Sequence, residues 1–463
     1  MKRQFLFGLL ILTSITSFAQ SEKEDSLQMR AIYDEVLLRG EAYSNLHYLC
    51  KNIGNRVSGS ANAQKAVDWS FELMENYQFD KVWLQEIMVP NWKRGSIENC
   101  FIQDADGNDI ELSITALGGS IGSNGVLTAE VIEVNSLEDL NSRDNKEIEG
   151  KIVFINQAFD QRFIRTGSAY GACGGIRWNG AAEAANKGAI AVINRSLSSK
   201  DDDFPHTGSM GYRDSIPKIP AMAISTEGSN FLSQFILDGN TKMSLELNCE
   251  MHPDTISYNV IAEITGSKYP EKVMVVGGHL DSWDIGEGAH DDGAGVVQSL
   301  EVLRVFKALN IQPEHTLRCV FYMNEENGTR GATAYANWAK LNEDEIPWVA
   351  MESDGGGFTP RGFSVQADDI YFEAISEWRG LFSTYSANRL RKGHGGTDIG
   401  KLEDQGTILI GFEGDSQRYF DLHHSANDVF ENVNKRELHL GAATMASLLY
   451  LIDTHGLPEK IKD

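Results

Sequence analysis

From residue 258 to the C-terminus, short apolar runs alternate with longer stretches whose apolar residues recur at helical spacing. Strand period and helix period alternating along one chain call for a mostly parallel sheet. A parallel neighbour is reached only through a crossover, and helices make the crossovers. The runs at 259–264, 273–276, 316–323, 348–351 and 408–412 are the expected strands. Residues 295–309, 332–341, 370–382 and 436–454 are the expected helices. The predicted fold class is α/β, a three-layer sandwich whose mixed, mostly parallel central sheet is covered by helices on both faces. In such sheets ligands gather beyond the C-terminal ends of the strands.

The residues that follow these strands carry chemistry. After 273–276 come two glycines, His279, Asp281 and then Asp291-Asp292-Gly293. After 316–323 come Glu325 and Glu326, and after 348–351 comes Asp354. After 408–412 a loop carries His423, His424 and Asp428. Taken singly, these are turns, helix caps and solvated charges. Taken together, they crowd carboxylates at one sheet edge, where they raise one another's pKa unless cations lie among them. Two histidines with three or four carboxylates suit zinc or a similar first-row metal. Five ligands serve two ions if one carboxylate bridges, and Asp291 stands in the bridging place in sequence. Glu325, beside a ligand, is then the candidate general base. Asp281, two residues after His279, can accept the second imidazole N–H and fix that ring.

The first half of the chain reads differently. Residues 32–53 and 67–74 have helical spacing, and 82–89 alternate as a strand closed by Pro90 and Gly95. Short strands at 126–134, 151–156, 189–193, 219–224 and 245–247 alternate with helices at 181–187 and 230–237, without a cluster of histidines and carboxylates. We read 123–250 as a smaller α/β module inserted into a main domain made of 20–122 and 251–463. Residues 1–19 have a basic start, an apolar run and small residues at a cleavage site, the pattern of a secretory signal peptide. Later stretches fall short of the roughly 18 apolar residues a membrane span needs. The expectation is export to the periplasm or the extracellular space.

The net charge is −25. Such a chain repels nucleic acid and anionic lipid, so neither is expected as a partner. The five cysteines are far apart and contain no C-x-x-C, so no disulfide can be assigned from spacing. Cys319, inside an expected strand, reads as a small core residue.

Several motifs, in this order, resemble those of the co-catalytic di-zinc exopeptidases. They are Gly278-His279-Leu280-Asp281-Ser282, His290-Asp291-Asp292-Gly293-Ala294-Gly295, Asn324-Glu325-Glu326-Asn327-Gly328, Glu352-Ser353-Asp354 and His424-Ser425-Ala426-Asn427-Asp428. That family includes secreted aminopeptidases and glutamate carboxypeptidases. Pro205-His206-Thr207-Gly208 and Gly396-Thr397-Asp398-Ile399 are similar to its plasma glutamate carboxypeptidase (carboxypeptidase Q) branch. The resemblance implies the zinc exopeptidase fold with a protease-associated insert at about 123–250. It implies one zinc on His279, Asp291 and Asp354, and a second on Asp291, Glu326 and His424, with Glu325 as base. It places His394 and Asp398 in a loop near the substrate, and implies a homodimer acting on short peptides or dipeptides. His290 departs from the family pattern, which more often has a non-ligating residue there. Two other readings share the scaffold: a glutaminyl cyclase-like transferase with a single zinc, and a binding protein that has lost catalysis. Retention of His279 argues against the first. The presence of all five ligands and the base argues against the second.

Overall fold

The structure, a computed structural model, describes residues 22–459 apart from 105 and 343. The expected signal peptide lies outside the described residues. No helix among those described is long and apolar enough to cross a membrane.

The fold is mixed α/β with two eight-stranded sheets. The main sheet has the spatial order Lys81–Lys93, Glu250–Ile264, His315–Tyr322, Tyr269–His279, Ile346–Glu352, Ile408–Gly414, Pro360–Gln366, Arg389–Lys392. Its four middle strands, from His315–Tyr322 to Ile408–Gly414, run parallel. Alternate residues of a strand face opposite sides, and the packing follows that rule. Met274 and Val276 enter a core with Ala294–Ala308, Lys435–His455 and the N-terminal helices. Val273 and Val275 face the other way, onto Tyr335, Ala339 and Leu402. Helices therefore cover both faces, as the alternation of apolar runs requires.

The last two strands on one side of the sheet, Pro360–Gln366 and the edge strand Arg389–Lys392, were not expected. The first strand is longer than expected and passes through Pro90, where its register with Glu250–Ile264 shifts between Val89 and Asn91. A proline without an N–H is tolerated at such an irregularity on an edge.

The second sheet has the order Asp109–Glu111, Glu98–Gln103, Lys242–Leu247, Leu127–Val134, Ile152–Ile155, Ala191–Arg195, Ala221–Ile224, Ile114–Ala116. It takes in strands ahead of residue 123, because Glu98–Gln103 pairs with Lys242–Leu247. Both connections to the main sheet run through one antiparallel ladder, in which Lys93 lies opposite Glu250. Apolar clusters join the two sheets. Trp92 and Trp283 pack with the strands of the second sheet, and Phe358, Tyr419 and Phe420 pack with its helices. The five cysteines are buried and unpaired, with Cys319 wholly inside the core.

Candidate metal centre

The parallel strands end where the sequence placed its chemistry. His279 is the last residue of Tyr269–His279. A Cβ on Gly278 would stand 2.3 Å from Asp292 Oδ2. The bare backbone lets the strand end approach the start of helix Ala294–Ala308. Asp292 fastens the two together. Its Oδ2 accepts from the His279 amide at 3.1 Å and its Oδ1 from the Gly295 amide at 3.0 Å. Asp292 is thus a structural tie and cap.

Asp291 lies at the centre. The Asp291–Asp292 peptide is cis. Its Oδ1 is 3.3 Å from His279 Nε2, and its Oδ2 is 3.2 Å from His424 Nε2. Asp354 Oδ1 approaches His279 Nε2 at 3.6 Å, and Glu326 Oε2 approaches His424 Nε2 at 3.0 Å. Asp291 is held from behind by Asp428, whose two oxygens accept the amides of His290 at 2.7 Å and Asp291 at 3.0 Å. The structure brings together all five residues expected as ligands, with Glu325 lining the same cavity.

The charge balance is that of a cation site. Burial pushes the Glu326 and Asp354 carboxyls up. It pushes Glu325 well above the usual range, where neighbouring Asp354 and Glu326 add to the effect. Burial opposes charge on His279 and His424, yet Asp291 with Asp354 holds the first well above its ordinary value, and Glu326 with Asp291 lifts the second to about 9. Asp291 is buried too, and the two histidines hold it well below the carboxylate range. Asp291 Oδ2 and Glu326 Oε1 are buried without a hydrogen-bond partner. Buried carboxylate oxygens in that state need a cation or a proton. Donor atoms of His279, Asp291 and Asp354 lie within 4.8 Å of one another, as do those of Asp291, His423 and His424. The residues present fit metal ions.

Other expectations are adjusted. The second nitrogen of His279 donates to the Asp281 main-chain oxygen at 2.9 Å, while the Asp281 carboxylate is 3.9 Å away. That carboxylate instead accepts the amides of Asn324 at 2.7 Å and Glu325 at 3.1 Å, and so positions the Glu-Glu pair. His290 turns away: its ring stacks on Phe358 at 4.2 Å and hydrogen-bonds main-chain groups of Gly357 and Asn432. His394 is exposed and does not line the cavity, whereas its neighbour Thr397 does. Asp398 is buried with both oxygens unpartnered, and burial with nearby Glu352 raises its carboxyl well above the usual range. Arg389 and Arg391 pair with Glu413.

Sequence reasoning missed the far wall of the cavity, which comes from the second sheet's module. Tyr170 and Arg177 line it. His206 Nδ1 donates to the His423 carbonyl at 2.6 Å, and the Thr207 amide donates to the His424 carbonyl at 2.8 Å. The stretch 205–208 was visible in the sequence only through its resemblance to relatives. His423 was also undervalued: its ring stacks on His424 at 3.5 Å, and its Nε2 lies 3.6 Å from Asp291 Oδ2.

The model of peptidase family M28 matches residues 259–449. Carboxypeptidase Q of Homo sapiens is 35% identical over 425 residues, covering 91% of this chain and 87% of that protein. The crystal structure of a peptidase M28 precursor from Shewanella amazonensis SB2B is 30% identical with a TM-score of 0.89, covering 95% of this chain and all of the other. BSAP, a zinc aminopeptidase from Bacillus subtilis, shares the fold at 22% identity, with a TM-score of 0.65 over 91% of this chain and 98% of that one. Identity that extends along the whole length, beyond the segment the family model matches, means that the chain belongs to peptidase family M28 and is a metallo-exopeptidase.

Proposed function

We propose that this protein is an exported zinc exopeptidase acting on short peptides or dipeptides, with two zinc ions bridged by Asp291. One ion would be held by His279, Asp291 and Asp354, the other by Asp291, Glu326 and His424. The observation that carries the reading is that Asp291 offers one oxygen to each histidine, at 3.3 and 3.2 Å. Zinc ions bound there supply Lewis acidity and lower the pKa of a water in the site.

The chain's own residues do the rest. Glu325 sits beside the ligand cluster, with its main chain held by Asp281. Its carboxylate takes a proton from the attacking water and passes it to the leaving amine nitrogen. The main-chain oxygen of Asp281 keeps the proton of His279 on Nδ1, which leaves Nε2 free as a ligand. Tyr170, Phe420 and the second module wall the cavity and exclude water from the reacting bond. Residues 1–19 serve as the export signal, 98–249 form the protease-associated type of insert, and the molecule is a homodimer. Asp398 and His394 belong to the substrate loop.

The test is metal analysis joined to one substitution. Zinc-loaded protein should hold about two ions per chain. E325Q should keep them and lose at least about 100-fold in dipeptide hydrolysis. Near-normal turnover by E325Q would remove Glu325 from the mechanism. About one zinc per chain would favour the glutaminyl cyclase-like reading instead.

A further inference from the structure

The loop 280–288 joins two of the candidate ligands: it starts beside His279 and ends three residues before Asp291. One side chain grips it at both ends. Arg56 has no exposed surface. Its Nε donates to the Leu280 carbonyl at 2.8 Å, Nη1 to the Glu287 carbonyl at 2.6 Å and Nη2 to the Gly288 carbonyl at 3.0 Å. Nη1 also donates to the carbonyl of Gly54, in its own segment, at 3.1 Å. Neighbouring groups add to the grip. The Arg56 amide donates to Ser282 Oγ at 3.1 Å, and Asn55 Nδ2 donates to the Asp284 carbonyl at 3.0 Å. The fit is close: Gly288 has φ +58, and a Cβ there would stand 2.3 Å from Ser282 Cβ and 2.9 Å from Arg56 Nη2.

Arg56 uses four of its five donors on main-chain carbonyls and none on a carboxylate. Burial opposes its charge, and the neighbours that favour it include Asp428, Asp281 and Asp292. Those three carboxylates are the ones that accept main-chain amides around the metal centre. A wholly buried guanidinium without a carboxylate partner is a costly way to close a loop. A planar fork, however, fixes the directions of several acceptors at once, which a point-like ammonium does not. Here the acceptors stand at the two ends of the loop that carries His279 and Asp291. The approach of those two side chains, at 3.3 Å, is thereby set by the chain itself.

We propose that Arg56 is a positioning residue for the metal centre, which holds loop 280–288 closed so that His279 and Asp291 are arranged for a shared ion before one binds. The inference rests on the two-ion reading and adds to it. The ion on His279, Asp291 and Asp354 takes a ligand from each end of the loop, whereas the ion on Asp291, Glu326 and His424 takes one only. Arg56 therefore acts mainly on the first.

The test uses the full chain, zinc-loaded and chelator-treated. R56K keeps the buried charge and removes the fork; R56M removes both, and should it fail to fold, R56K still decides. Chelator competition should show one of the two zinc ions bound about 10- to 100-fold more weakly in R56K, the cost of losing a group that orients a ligand. In an H279A background, which retains only the ion on Glu326 and His424, adding R56K should change zinc affinity by no more than about twofold. Hydrogen exchange on the chelator-treated chain supplies a readout free of metal and turnover. Amides of 280–288 should exchange at least about tenfold faster in R56K than in wild type, with those of strand His315–Tyr322 unchanged. Undiminished zinc affinity in R56K, with only a lower melting temperature, would overturn the proposal and make Arg56 an ordinary part of the core. So would exchange that rises equally across the sheet, or an equal loss of affinity in the H279A background. A wild type that holds only one zinc would defeat the two-ion reading instead, and the exchange comparison would still decide whether Arg56 holds the loop.

Discussion

Asp291 can face two histidines because its main chain, rather than its side chain, is fixed. Asp428 takes the amides of His290 and Asp291, which leaves both Asp291 oxygens free. We predict that D428A lowers zinc affinity about 10- to 100-fold, the cost typical of losing a group that orients a ligand. Competition with a chromogenic chelator measures it, and unchanged affinity would show that the clamp is idle. The rival contacts around His424 give a second prediction. E326A should leave about one zinc per chain and H423A about two; the reverse would transfer the ligand role to His423. At this scale the ligands were legible because each follows a buried strand, and strand ends share an edge. The role of the Asp281 main-chain oxygen was not legible, since a sequence names side chains and not which atom turns inward. Arg177 was hidden for another reason: it lies about a hundred residues before the first ligand, on a helix with no other chemistry.

Among the elements, the long helix Lys435–His455 carries a titratable group into the core. His439 is 2% exposed, and its Nε2 accepts the Tyr43 amide at 3.4 Å. Burial, with Lys435 and Arg304 nearby, pushes its imidazole down from 6.5 to about 4. The ring therefore stays neutral in the fold while the unfolded chain binds a proton. Stability should fall as pH drops from about 6.5 to about 4, by at most about 1.4 kcal/mol per pH unit for one proton, and be indifferent to this group above that window. Urea melts of wild type and H439Q at pH 7, 6 and 5 check this: the variant should show the shallower decline, and parallel declines would count against the assignment. The central strands were readable as elements because parallel strands buried on both faces are continuously apolar. Pro360–Gln366 and Arg389–Lys392 were not, since the former carries Pro360 and Gly362 and the latter is charged at most of its positions. Strand Lys81–Lys93 was cut short by reading Pro90 as a stop.

At the scale of the molecule, the carboxylate cluster makes stability depend on metal. Ions that bind the fold and not the unfolded chain stabilise by about 2.7 kcal/mol at a hundredfold excess over Kd. Chelation should therefore lower the melting temperature, and zinc should restore it; a melt insensitive to chelator would argue against a loaded site in the native protein. The alternation of strands and helices announced two α/β regions, but not that the second one walls the first one's site. That contact joins residues 206 and 207 to 423 and 424, a separation no local pattern encodes. The nesting of one sheet within the other also sets an order of events during synthesis. Every strand of the second sheet lies between residues 98 and 247, whereas Lys81–Lys93 waits for Glu250–Ile264 and every metal-facing residue comes later still. As the chain emerges N-terminus first, the wall can be finished while the first main-sheet strand is still a loose end. The catalytic edge is then assembled last, against a surface already in place.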